Sequence, residues 1–162
     1  MLKTTDLCDA YGEAVAVLSP LFQDYGGVHT WSGPISTLRV FEDNALVRRA
    51  FEEPGAGRVL VVDGGGSMRC ALVGDQLAEL ARGNGWAGVL VYGCVRDAEE
   101  LAAIAFGVKA LNTHPRRSIK QGAGERDVPI TFGGVTLSPG QWLYADPDGV
   151  VTSATPLELP AS

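Results

Sequence analysis

Two short segments carry the residue types and spacings from which chemistry can be built, Val73-Gly74-Asp75-Gln76-Leu77 and Gly93-Cys94-Val95-Arg96-Asp97. Each opens a predicted helix. In an open α/β sheet, ligands bind beyond the carboxyl ends of the strands, where loops are free and helix N-termini present unpaired N–H groups. Gly74 lets a ligand approach the backbone closely, and the amides of Gln76 and Leu77 at a helix start favour a carboxylate. Asp75 stands beside that spot, where an aspartate also reads simply as the N-cap of its helix. Arg96, immediately after an apolar strand and next to an acid, can hold a carboxylate or enolate oxygen through its planar fork of donors. A solvated ion pair is its plainer reading. Asp97-Ala98-Glu99-Glu100 is close to a capping box, so a structural role for Asp97 stands beside a functional one.

Other chemistries find less support. His29 and His114 are each alone, with no H-x-x-x-H pattern or His/Cys cluster, so a bound metal would have to be a hard ion such as magnesium or manganese, held by few carboxylates and several waters. Lys3, Lys109 and Lys120 lie outside both segments, which argues against a Schiff-base lysine. Asp63-Gly64-Gly65-Gly66-Ser67 invites a nucleotide or S-adenosylmethionine reading. It lacks the G-x-G-x-x-G spacing, and the next strand ends in glycine and cysteine rather than an acid for a ribose, so the glycines are read as a tight turn or close subunit packing. Cys8, Cys70 and Cys94 form no C-x-x-C pair and read as free thiols. Thr113-His114-Pro115-Arg116-Arg117-Ser118 reads as a solvated basic loop.

The elements that must position the two segments are legible from glycine-bounded apolar runs. Arg58–Asp63 and Gly88–Gly93 are predicted strands with a helix over Asp75–Asn84 between them, a βαβ unit. A helix over Asp97–Ala105 and a strand over Val108–Asn112 follow, so at least three strands should run parallel. Before this unit, helices are predicted around Thr5–Tyr11 and Asn44–Phe51, a strand near Gly33–Val40, and an irregular stretch around Gly26-Gly27. After it come short strands at Val128–Phe132, Val135–Leu137, Trp142–Ala145 and Gly149–Thr152, split by turn sequences. The expectation is one α/β domain over residues 1–162, layered α/β/α, with a central partly parallel sheet and a β-rich C-terminal part.

Length and charge bound the function. A chain of 162 residues can bury roughly 70% of its unfolded surface and needs no disulfide staple. The net charge of −6 is spread along the chain, with no long basic run to neutralise a row of phosphates, so direct nucleic-acid binding is not expected. The start shows no signal pattern and no apolar run approaches the roughly 20 residues that span a bilayer, so the expected place is the cytoplasm, off any membrane.

Val59-Leu-Val-Val-Asp-Gly-Gly-Gly-Ser67, Gly74-Asp-Gln-Leu-Ala-Glu-Leu-Ala81 and Tyr92-Gly-Cys-Val-Arg-Asp97 occur in that order, with Phe41-Glu-Asp-Asn44, Gly122-Ala-Gly-Glu125 and Phe132-Gly-Gly-Val-Thr136. Together they resemble the family of the regulator of ribonuclease activity A, which includes the class II 4-hydroxy-4-methyl-2-oxoglutarate aldolases. The resemblance implies a divalent-metal-dependent lyase that cleaves that substrate to two pyruvates and decarboxylates oxaloacetate, in a homotrimer with pockets at subunit interfaces. Its Asp-x20-Arg-Asp motif falls on Asp75, Arg96 and Asp97, with Glu100 three positions further. By this resemblance Asp97 holds Mg2+ or Mn2+ largely through water, Arg96 and the metal bind the small 2-oxo acid and stabilise the enolate, Gly74 to Leu77 receive its carboxylate, and Asp75 positions a proton-carrying water. The longer aldolases add a C-terminal acid from a neighbouring subunit, for which this short chain has no evident counterpart. The alternative is a non-catalytic regulator that binds an RNA-degrading endonuclease or a helicase partner.

Overall fold

The structure is a computed structural model and describes residues 2–159. In chain order, α1 (Thr4–Tyr11) and a 3-10 turn lead into β1 (Ala16–Val17), β2 (Gln23–Asp24), β3 (Trp31–Arg39), α2 (Ala45–Glu52), β4 (Val59–Asp63), β5 (Ala71–Val73), α3 (Asp75–Gly83), β6 (Gly88–Val95), α4 (Ala98–Ala102) and β7 (Gly107–Thr113). The β-rich end comprises β8 (Glu125–Arg126), β9 (Ile130–Phe132), β10 (Val135–Leu137), β11 (Trp142–Asp146) and β12 (Gly149–Ser153).

One mixed sheet runs β1-β12-β11-β3-β4-β6-β7-β2, and β3, β4, β6 and β7 are mutually parallel. These middle strands read as continuous apolar runs because both faces are covered. Their side chains alternate between two cores. Leu60, Val62, Val89 and Val91 face Val47 and Phe51 of α2, Leu77 and Ala81 of α3 and Leu101 of α4. Val59, Val61 and Leu90 face the other way, into a core closed by Ile130, Phe132 and Leu137 of the β9-β10 hairpin and by Leu143 and Val150, as the C-terminal strands curl round into a half-barrel. Leu7 of α1 backs the outer face of that curl against Tyr144 and Val151. The result is the expected α/β/α domain with a partly parallel sheet and a β-rich C-terminal part.

Three local departures have physical reasons. β5 was not expected; it pairs with the last residues of β6, Ala71 opposite Cys94 and Val73 opposite Val95, so β6 runs to Val95 instead of ending at Gly93. α4 covers Ala98–Ala102, not Asp97–Ala105, because the chain then turns so that the Ile104 carbonyl accepts from the Gly27 N–H. A side chain at Gly27 would strike the carbonyls of Ala102 and Ile104, which accounts for the glycine pair in that irregular stretch. Lys109 is buried on β7, its Nζ 3.2 Å from Asp24 Oδ1 of β2, and belongs to the sheet edge. Among the described residues no helix is long and apolar enough to cross a membrane.

Candidate active site

The two segments singled out by sequence meet at the carboxyl ends of β5 and β6. Because these strands are hydrogen-bonded neighbours, Gly74-Asp75 and Arg96-Asp97 leave the sheet side by side, and the Arg96 N–H donates to the Val73 carbonyl at 2.9 Å. Asp97 then takes a left-handed backbone conformation, φ 63° and ψ 49°, which aspartate tolerates better than most residues with a side chain. That turn swings its carboxylate back over the start of α3, where Oδ2 accepts the Asp75 N–H at 3.0 Å.

This bond revises both local expectations. Gly74, not Asp75, is the N-cap residue of α3 and has no side chain to cap with; Asp97 does the capping from another loop. Asp97 makes no side-chain cap of its own helix, so the capping-box pattern of Asp97 and Glu100 is not used as one. Gly74 is required by space rather than by backbone angle. A Cβ there would sit 2.5 Å from Asp97 Oδ2 and 3.4 Å from the Cγ of Arg96, whose stem passes over it. The adjacent Arg96 and Asp97 do not form the ion pair their neighbourhood in sequence suggests, and Arg96 has no salt-bridge partner among the described residues.

Asp75 is pushed above the usual carboxylate range, first by its side-chain hydrogen bond with Asp97, then by burial and the Asp97 charge, against the opposing Gln76 N–H. Two carboxyl groups this close resist ionising together, and a shared proton or a bound cation relieves the repulsion. Among the described residues there is no cluster of three His, Cys, Asp or Glu side chains of the kind that encloses a metal. A donor set of this kind suits a hard cation that keeps most of its waters and takes one or two carboxylates.

These groups line a cavity of about 600 Å³ together with residues the sequence did not single out. Asn44, Arg48 and Arg49 come from the start and outer face of α2, Arg117 and Lys120 from the chain after β7. Arg117 thus faces the cavity rather than being only part of a solvated loop, and Lys120 reaches it from outside both strand-to-helix segments. Tertiary pairing brings them in: the Asn44 amide group donates to the Leu72 carbonyl, the Ala71 N–H donates to the Arg116 carbonyl, and the Ile119 N–H donates to the Glu42 carbonyl. The glycine run lies elsewhere and is closed on itself, with the Gly64 and Gly66 N–H groups donating to the Tyr92 carbonyl and the Gly65 N–H to Asp63 Oδ1. It is the tight turn the sequence suggested, with Gly65 and Gly66 at positive φ. The three cysteines are free thiols, and burial pushes the Cys70 and Cys94 thiols up.

The fold and its paired strand-to-helix loops make this an α/β protein with its cavity at the carboxyl ends of the strands, and comparison with known proteins makes the class specific. The chain belongs to the RraA-like family, whose model, described as Aldolase/RraA, matches residues 4–152. A protein of Alkalilimnicola ehrlichii named "Putative 4-hydroxy-4-methyl-2-oxoglutarate aldolase" is 60% identical over 96% of this chain and 97% of its own length. One of the same name from Halorhodospira halophila is 59% identical over 98% and 99%. The solved structure of the RNA-processing inhibitor RraA from Thermus thermophilis superposes with a TM-score of 0.94 at 50% identity, covering 98% of this chain and 96% of that one. A Geobacillus kaustophilus structure described as an S-adenosylmethionine:2-dimethylmenaquinone methyltransferase gives 0.95 at 50% identity, over 99% and 100%.

Proposed function

We propose that this protein is a class II aldolase that cleaves 4-hydroxy-4-methyl-2-oxoglutarate to two pyruvates and decarboxylates oxaloacetate, with Mg2+ or Mn2+ at Asp97. The observation that carries the reading is the convergence of Gly74–Leu77, Arg96 and Asp97 at one mouth of the sheet, held by the bond from the Asp75 N–H to Asp97. When bound, the cation supplies Lewis-acid polarisation of the 2-oxo group. The backbone amides at the start of α3 receive the substrate carboxylate, as helix N-termini do for anions. Arg96, lacking a carboxylate partner among the described residues, stabilises the negative charge that develops on the 2-oxo oxygen.

In the aldol cleavage the C4 hydroxyl loses its proton, the C3–C4 bond breaks, and its electron pair passes to the enolate of one pyruvate while C4 becomes the carbonyl carbon of the other. The enolate carbon then takes a proton. In oxaloacetate the same enolate forms when carbon dioxide leaves. Asp75, whose carboxyl is held up toward neutrality beside Asp97, positions the water that carries these protons. The subunits assemble as a homotrimer, expected in sedimentation equilibrium at three times 17.0 kDa; a monomer would overturn that assignment.

The test is pyruvate release from both substrates with magnesium or manganese and with chelator, corrected for the metal's own decarboxylation of oxaloacetate. Metal-dependent turnover is expected, with Arg96→Ala reduced by about 100-fold or more, the usual cost of losing an oxyanion donor. No turnover of either substrate by folded, metal-loaded protein would overturn the reading in favour of the regulator that binds an endonuclease or helicase.

A further inference from the structure

The chain holds 13 lysines and arginines. Arg39, Arg58, Arg69, Arg82, Lys109 and Arg126 each lie within ion-pair distance of a carboxylate. Of the seven with no such carboxylate among the described residues, Arg48, Arg49, Arg96, Arg117 and Lys120 line the candidate active-site cavity. A protein with a net charge of −6 has carboxylates enough to neutralise them, yet its unpartnered cations gather round one hollow. Glu52, one turn along α2 from Arg48 and Arg49, also faces the cavity and stays outside pairing distance of both. The Arg49 guanidinium lies beside Gly122, 3.5 Å from where a Cβ on that residue would stand. Arg96 sits at the mouth of the sheet with Asp97, whereas Arg48 and Arg49 come from α2 and Arg117 from the chain after β7. The cavity, at about 600 Å³, has the volume of a site for a drug-sized ligand rather than for a three-carbon acid.

We infer that Arg48, Arg49 and Arg117 form a second anion subsite that holds a distal carboxylate, so that the cavity selects 2-oxo acids carrying two carboxylates over those carrying one. The inference rests on the aldolase reading for the identity of the 2-oxo end and adds the residues that read the other end. Guanidinium groups suit the task because a carboxylate is bound by two parallel N–H donors, and an uncompensated cation has no internal partner to give up first.

The experiment compares binding of 2-oxoglutarate and 2-oxopentanoate, which have the same carbon chain and differ in the distal carboxylate, by calorimetry on the magnesium-loaded protein. The native chain is expected to prefer 2-oxoglutarate by about tenfold or more, the scale of one charge-assisted contact. Arg48→Gln/Arg49→Gln and, separately, Arg117→Gln from the chain after β7 should each bring the ratio down toward unity. Lys3→Gln removes an unpaired cation outside the cavity and should leave the ratio unaltered. Equal affinities in the native chain, an unaltered ratio in both cavity variants whose circular dichroism is native, or an equal fall in Lys3→Gln would each overturn the subsite. Preference without turnover would remove the aldolase reading and leave the subsite standing; turnover without preference would do the reverse.

Discussion

At the scale of single residues, Asp97 joins a left-handed backbone and a helix cap to the metal-holding carboxylate proposed above, and substitutions can separate these roles. Alanine loses the acceptor that caps α3 and is poorly suited to φ 63°, so Asp97→Ala should lower the unfolding free energy by about 1–2 kcal/mol. Asparagine keeps an acceptor oxygen and tolerates the same backbone, so Asp97→Asn should stay within about 0.5 kcal/mol of the native stability. Both variants should lose turnover, since each removes the charge that the proposed cation and proton path need. Denaturant unfolding beside pyruvate release measures the two effects; an active Asp97→Asn would remove the carboxylate from the mechanism. Sequence alone brought Gly74, Asp75, Arg96 and Asp97 into view, because strand-to-helix loops are short and their glycines and acids conspicuous. What stayed hidden was which aspartate caps which helix. A cap from 22 positions away in sequence leaves no local pattern, and the local pattern that was present, Asp97 with Glu100, is not used.

At the scale of elements, the far wall of the cavity depends on how α2 is tied to the chain after β7. Asp43, at 1% exposure, accepts the N–H groups of Ala45, Gln121 and Ala123 at 3.0–3.1 Å, so one carboxylate fixes both the start of α2 and the segment beside Lys120. Burial pushes Asp43 up, but these N–H donors together with Gly122 outweigh it, and the carboxyl titrates below its ordinary range. A lowered folded value means the unfolded chain binds the proton first as pH falls. The stability contributed by Asp43 is therefore complete above the unfolded value near ~4 and is lost as pH drops through the folded one. Amide exchange at Gln121 and Ala123 should accelerate, relative to a pH-matched unfolded chain, below about pH 4. Asp43→Asn should show weakened protection already at neutral pH; unchanged protection in that variant would show that the segment is held by other contacts. The βαβ order and the parallel run of β3, β4, β6 and β7 were readable from apolar periodicity. β5 was not, because a three-residue strand behind a glycine-rich turn has no periodicity to read, and Arg117 and Lys120 gain their place through the tertiary bridges that β5, Glu42, Asp43 and Asn44 make to the chain after β7.

At the scale of the whole molecule, a net charge of −6 would repel the dianionic substrate proposed above, while cations unpaired among the described residues gather at the cavity opening. Attraction between a dianion and a concave cluster of charges falls with salt, because the Debye length shrinks from about 30 Å at 0.01 M to about 8 Å at 0.15 M ionic strength. Steering of this kind acts on encounter, so it belongs to kcat/KM and not to kcat. For a two-carboxylate substrate, kcat/KM should fall several-fold between low salt and about 0.15 M while kcat holds nearly constant. The fall should be shallower in Arg48→Gln/Arg49→Gln, since the charge that does the steering is reduced. Measuring initial rates across salt with an inert ion pair, at fixed free magnesium, separates this from metal loss. If kcat and kcat/KM fell together, salt would be acting on the bound state, and the cations round the cavity would have no part in capturing substrate.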